Sequence, residues 1–337
     1  MWDFDIGKSL SALARTLPFI LLRMAVFFGI ALAYLLVTGT GAGFGYGFGA
    51  LGDTDFQAST TFWGGLIGFA TVSVVLYWVR EYILYMVKAG HIAVLVEVLD
   101  GHGIPDGRSQ IDYATGIVRA RFAEANVLFV LDQLIKGVLR VVTGMINVFA
   151  NFLPVPGIQG LARFLNAVIR LAVTYVDEVI LAHNIRLRSD NPWATSKDAL
   201  ILYAQNSSVM LKNAVWLAAF MYLFAFLIFL IMIAPAGALL YVLPGDWSGW
   251  GFVLALIFAW SFKAALIEPF AIACLMQVYF KVIEGQTPDP AWDARLSEVS
   301  AKFRELKEQA LARSRGRTGT AYAESTSRWT AGTTPSV

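Results

Sequence analysis

Long apolar runs alternate with polar, amphipathic stretches along this chain, and the runs set its class. Ala214 to Leu243 carries no charged side chain, a turn follows at Pro244-Gly245-Asp246-Trp247-Ser248-Gly249, and a second run from Gly251 to Phe280 brings the chain back. At ~1.5 Å of rise per residue, either run crosses a ~30 Å hydrocarbon layer as a helix. Two earlier runs have the same character: Leu17 to Thr38, with Arg23 near enough to its start to snorkel, and Thr61 to Tyr82, which ends in Arg80-Glu81. Between them lies the glycine-rich stretch at residues 39–52, expected as a flexible or closely packed loop. It is not a phosphate loop, because it follows a membrane helix rather than a strand and has no Gly-Lys-Ser/Thr ending. Ahead of the first run, Trp2, Ile6, Leu10, Leu13 and Leu17 recur at helical spacing and predict a short interfacial helix.

The expected fold is an all-α integral membrane protein with four transmembrane helices plus amphipathic cytoplasmic or interfacial helices. Its sections are residues 1–88 (interfacial helix, spans one and two), 89–213 (amphipathic section), 214–282 (spans three and four), 283–313 (cytoplasmic helix) and 314–337 (a disordered tail rich in Ser, Thr, Gly and Arg). Composition agrees: 57% of residues are hydrophobic and 15% charged, against roughly a quarter charged in soluble domains. The formal net charge of +2 gives no nucleic-acid signal. The single cysteine, Cys274, sits inside an apolar run and reads as a packing residue.

Charge in the connections predicts an orientation. The loop with Asp53 and Asp55 and the loop with Asp246 contain no Lys or Arg, whereas the N-terminus, residues 83–212 and the tail after Lys281 all carry basic residues. By the positive-inside rule both termini and the middle section are cytoplasmic, in a cell (inner or plasma) membrane.

Within the middle section, Ile104-Pro105-Asp106-Gly107 reads as a turn, and Ser109 with Asp112 as a capping box for a helix over about 110–150. Asp132, Lys136, Arg140, Thr143 and Asn147 form one polar stripe on it, with Asp132 and Lys136 spaced for an ion pair. After Leu153-Pro154-Val155-Pro156-Gly157, a second amphipathic helix over about 160–188 carries Arg163, Asn166, Arg170, Thr174, Asp177, Asn184 and Arg188. Two placements stay open: a hairpin along the inner membrane surface, or stripes facing each other, a cavity or a partner subunit inside the bilayer. Asn191-Pro192 predicts an N-cap and first-turn proline.

The sharpest candidate residues are Lys263 and Glu268, with Trp260 nearby. Both charges lie too deep in the fourth run to snorkel easily, so each needs a partner or water. Five positions on an α-helix is about 140° of rotation, so the two are not expected to face each other. Pro269 removes a backbone donor and crowds the carbonyl of Ala265, which predicts a kink. A kinked helix bearing a carboxylate suits a substrate or ion site, and the alternative is a pair of charges that merely locks the bundle. Asp177 and Arg170 would line the same path. His91, His102 and His183 with Glu97, Asp100 and Asp177 show no paired-ligand spacing, so neither a metal nor a cofactor is expected. No nucleophile elbow or Cys/His pair is present, and the chain is not expected to be an enzyme.

In the tail, Asp289-Pro290 opens a helix, and Trp292, Leu296, Val299, Phe303, Leu306 and Ala310 form a narrow apolar seam. It can dock on the middle helices, pair with another subunit or lie on lipid.

The run NPWATSKDALILYAQNSSVMLKNAV, residues 191–215, with the two spans after it, resembles the C-terminal half of choline transporter-like proteins through Thr195, Ser196, Asp198, Ala199 and Asn206. The resemblance covers about 100 residues. It implies a helical membrane protein handling a small organic cation or a lipid-related molecule, with carboxylates and Trp260 as counter-charge and cation–π partners. The expected function is transporter-like. The alternative is a non-catalytic scaffold or accessory subunit, in a homo-oligomer or a larger membrane complex.

Overall fold

Every element in the described part of the chain is helical. The computed structural model describes residues 2–104, 108–121, 130–141, 174–242 and 250–315. The elements are α1 (Ile6–Arg15), α2 (Leu17–Gly49), α3 (Thr54–Leu99), α4 (Gln110–Arg121), α5 (130–141), α6 (Val176–Leu187), α7 (Pro192–Gln205), α8 (Ser207–Val242), α9 (Trp250–Phe262), a π-turn (Lys263–Ile267), α10 (Glu268–Val282), α11 (Pro290–Val299) and α12 (301–315). Among the described residues, four stretches are long and apolar enough to cross a membrane: Leu17–Gly49, Thr54–Tyr77, Ser207–Ala238 and Ala255–Val282. The chain is a multi-pass membrane protein by this measure.

Local chemistry explains the helix starts. The Asp5 carboxylate accepts from Lys8 N at 2.9 Å, Asp53 from Phe56 N at 2.8 Å, Asn191 from Ala194 N at 3.2 Å and Asp289 from Ala291 N at 2.8 Å. Each fills a donor the first turn leaves open. Ser109 caps α4 as expected: its hydroxyl accepts from Asp112 N at 3.1 Å and donates to the Asp112 carboxylate at 2.6 Å. The turn at 104–107, the break at 153–157, most of the helix over 160–188, the Trp247 loop and the tail beyond 315 lie wholly or largely outside the described residues.

Residues 39–52 correct the expectation of a loop. Helix α2 runs unbroken to Gly49, and α3 begins at Thr54 and continues past Tyr82 to Leu99. The alternating glycines put two rows on opposite sides of α2. Gly41, Gly45 and Gly49 face α3 so closely that a Cβ would sit 2.3 Å from the Gly64 carbonyl oxygen, 2.0 Å from that of Thr60 and 2.2 Å from the Thr60 hydroxyl. Gly39, Gly43 and Gly47 meet nothing within 4 Å. In lipid no water competes for the backbone, so helix is the form that satisfies these glycines, and small residues let helices approach.

The chain divides into two compact units. The span unit comprises Asp5–Thr115 and Trp216–Cys274. Here α2 and α3 form an antiparallel hairpin, and buried clusters form at Phe19, Val94 and Ala114, at Phe27, Ala264 and Ala265, and at Ala236 and Ala255. Of the Thr54–Tyr77 span only 6% is buried, against 56% of the Ala255–Val282 span. The exposed apolar surface of the former is what lipid must cover.

The second unit comprises Met1–Phe4, Gly116–Val215 and Leu275–Val337. Its core holds Val179, Ile180 and Ile201 together with Phe303 and Leu306. The tail seam therefore docks on its own chain: Asn191 Nδ2 donates to the Ala310 carbonyl at 2.9 Å, and Lys302 lies across Gly137. The tail is two helices rather than one. Ser300 breaks it and caps α12, accepting from Phe303 N at 3.2 Å.

Candidate functional site

The polar centre of the span unit forms where α2 passes the π-turn. Arg23, on the first turns of α2, is 1% exposed. Its Nη2 donates to the Ala264 carbonyl at 2.9 Å and to Glu268 Oε2 at 3.3 Å. Lys263 Nζ lies 3.8 Å from the other carboxylate oxygen, Oε1. The side chains of Glu268 and Lys263 are 18% and 36% exposed. Phe27 lies beneath the guanidinium, 6.0 Å from ring centre to carbon, and meets Trp260 edge-on at 5.5 Å.

Two sequence expectations change here. Lys263 and Glu268 do face each other, because the backbone between them is not α-helical: the Glu268 N–H donates to the Lys263 carbonyl, and i→i+5 bonding stacks the fifth residue over the first. Arg23 does not snorkel. It turns inward and supplies the partner that Glu268 needs, a role invisible from α2 alone.

Asp177 belongs to the second unit and Arg170 lies outside the described residues. Asp177 approaches Lys136 at 3.7 Å, and Lys136 holds Asp132 at 2.7 Å in the expected spacing-of-four pair. Burial, reinforced by the neighbouring Glu178 charge, pushes the Asp177 carboxyl well above the usual range, and burial raises Asp132 as well.

Two histidines are buried. His91 Nε2 lies 3.0 Å from the Thr16 hydroxyl, which itself donates to Ala12 O, so the ring is the donor. Its face stacks on Phe19 at 5.4 Å, and Nδ1 has no hydrogen-bond partner among the described residues. Burial, with the Arg23 charge adding to it, holds the His91 pKa far below its ordinary value. In the second unit burial lowers His183 to about 4; its Nδ1 is 3.4 Å from the Tyr279 hydroxyl. His102 pairs with Glu97 at 3.2 Å. Among the described residues no three His, Cys, Asp or Glu side chains gather as metal ligands.

The residues that carry the resemblance to choline transporter-like proteins are bonded to neighbours or buried. Ser196 accepts from Asn184 Nδ2 at 2.6 Å, Thr195 donates to the Asn191 carbonyl at 3.2 Å, Asn206 donates to Gln286 at 2.7 Å, Asp198 pairs with Lys197 at 2.8 Å, and Ala199 is fully buried. No protein-family model matches the chain, and neither a curated protein nor a solved structure matches it.

Proposed function

We propose that this multi-pass membrane protein is transporter-like and engages a lipid-related solute at the Arg23–Glu268–Lys263 centre. The observation that carries the reading is the state of Lys263. Its ammonium has three donors, makes no hydrogen bond among the described residues, and stands 3.8 Å from a carboxylate already bonded by Arg23. An ammonium so placed in an apolar span calls for a polar partner from outside the helix pair. The same geometry disfavours an organic cation: Glu268, the counter-charge such a solute would need, already lies between two cations.

The orientation belongs to the proposal. Both termini and the middle section lie on the cytoplasmic side of the cell membrane, supported by the absence of Lys and Arg around Asp53, Asp55 and Asp246. With Cys274 buried as the single native cysteine, Asp53→Cys and Lys212→Cys should label from opposite sides of sealed vesicles. Labelling from the same side removes the topology.

A second reading, a non-catalytic scaffold working with another copy or a larger membrane complex, is favoured by Arg23 itself: a buried guanidinium bonded to a backbone carbonyl is what a structural lock looks like. Transfer of a fluorescent phospholipid or its headgroup ester by reconstituted protein separates the two. Loss of transfer in Glu268→Gln and Lys263→Gln, with folding intact, supports the transporter. Absence of transfer in the unaltered protein, with oligomeric assembly intact, supports the scaffold.

A further inference from the structure

The level of the polar centre in the membrane follows from helix length and register. Helix α2 has 33 residues, about 50 Å, and the hydrocarbon is about 30 Å thick. One end must therefore leave it. Among the described side chains, large exposed apolar ones populate α2 from Leu17 to Phe48 and α3 from Phe56 to Ile83. Gly41 lies against Gly64, and moving equal distances along both helices from that pair sets Ile83 level with Leu22. The apolar belt therefore extends past Arg23, which lies near its α1 end. Arg23 is about 9 Å along α2 from Leu17, just after the amphipathic α1. Its bond to Glu268 fixes Glu268 and Lys263 at the same level. All three charges thus lie near the α1 end of the belt, inside the hydrocarbon but within reach of the headgroups for a long lysine side chain that snorkels toward them.

Lys263 faces outward there. Leu256, Trp260 and Lys263 follow one another at steps of four and three, so they share a helix face; Leu256 and Trp260 are 47% and 42% exposed, and the lysine side chain 36%. A tryptophan beside a lysine is the composition of an interfacial anchor. Arg23 and Lys263 against Glu268 is two cations against one anion, a net charge of +1. A compact ammonium with its donors unspent, backed by a fixed guanidinium charge, selects an anion, and phosphate offers acceptor oxygens on a small, concentrated charge.

We propose that Lys263 binds the phosphate of an anionic phospholipid, with Leu256 and Trp260 against its acyl region and Arg23 setting the positive field behind it. This deepens the lipid-related reading above and rests on it.

The test uses the full chain in mild detergent, with native mass spectrometry and thermal unfolding read against phosphatidylglycerol, phosphatidylcholine, diacylglycerol and inorganic phosphate. Phosphatidylglycerol should be retained about fivefold more strongly than phosphatidylcholine, the effect of one basic side chain near an anionic surface, and diacylglycerol should give no stabilisation. Lys263→Gln should erase the difference, and Lys263→Arg should keep most of it. Equal retention of the two phospholipids, lowered for both by Lys263→Gln, would overturn the anion assignment while leaving the lipid reading standing. No response to any amphiphile would overturn both. Inorganic phosphate displacing phosphatidylglycerol and stabilising as well on its own would assign the site to a free phosphate instead of a lipid. If Lys263→Gln fails to fold, equal headgroup retention by the unaltered chain and by Lys263→Arg still overturns the assignment.

Discussion

The guanidinium of Arg23 bonds the carbonyl oxygen that the register of the π-turn would pair with residue 269, and Pro269 has no amide hydrogen to offer it. In the π-turn the Glu268 N–H bonds the carbonyl five residues back, at Lys263. One step on, the partner of residue 269 in the same register is the Ala264 carbonyl, and proline has no N–H to give it. Arg23 Nη2 donates to that oxygen at 2.9 Å. A single side chain on α2 thus fills a backbone vacancy and neutralises Glu268 at once.

Coupling between Arg23 and Pro269 should follow. Arg23→Met should cost about 3 kcal/mol, because it strands a carboxylate and a carbonyl. Pro269→Ala restores a donor for Ala264, so the same arginine change should cost about 1 kcal/mol less in that background. A double-mutant cycle by thermal unfolding in detergent measures it, and purely additive effects would remove the vacancy-filling role.

The two glycine rows of α2 should respond oppositely. Gly45→Ala places a methyl 2.0 Å from the Thr60 carbonyl oxygen, so the hairpin must part, at about 1–3 kcal/mol. Gly43→Ala meets open space and should be neutral or stabilising by up to ~1 kcal/mol through helix propensity. Equal losses at both sites would mean that the hairpin does not pack through the first row.

Acid should weaken the fold through its histidines. His91 is held far below its ordinary value by burial first and Arg23 second, and His183 at about 4 by burial. The unfolded chain therefore binds protons that the fold refuses, and the stability from each is complete above about 6.5 and declines as pH falls below it. For His183 the decline ends near pH 4. Raised Asp177 acts in the opposite sense, since the fold keeps a proton that the unfolded chain releases as pH rises past the usual aspartate value. The clean readout is a difference of slopes: between pH 7 and pH 5, His91→Gln should lose about 2 kcal/mol less than the unaltered protein. Parallel curves would place His91 in water.

Phe303, fully buried in the second unit, should be the residue that fixes the tail. Phe303→Ala should cost about 3–5 kcal/mol and open α12 to limited proteolysis. Leu311→Ala, exposed on the same helix, should leave the digestion pattern unchanged.

What could be read from the sequence divides by range. Caps at Asp289, Asn191 and Ser109 and the Asp132–Lys136 pair are decided within one turn, and each forms as its spacing requires. The glycine segment was illegible because its residue type signals a loop in water, and only lipid and the facing Gly64 make helix the better state. Arg23 was missed for a related reason. Snorkelling weighs a charge against its own helix, whereas its partners lie on an element more than two hundred residues away in the chain. Pro269 announced a distortion but not its form, since the bonding that results depends on what donor arrives from outside.

The π-turn also absorbs a residue that a regular α-helix would turn aside. Its wider turn keeps Glu268 over Lys263 although the two are five positions apart. Straightening Lys263–Ile267 into regular α-helix without removing a residue would carry Glu268 to about 140° from Lys263, even though every charged group survives. The polar centre is in that sense a matter of winding: its chemistry is written in the width of one turn as much as in its letters.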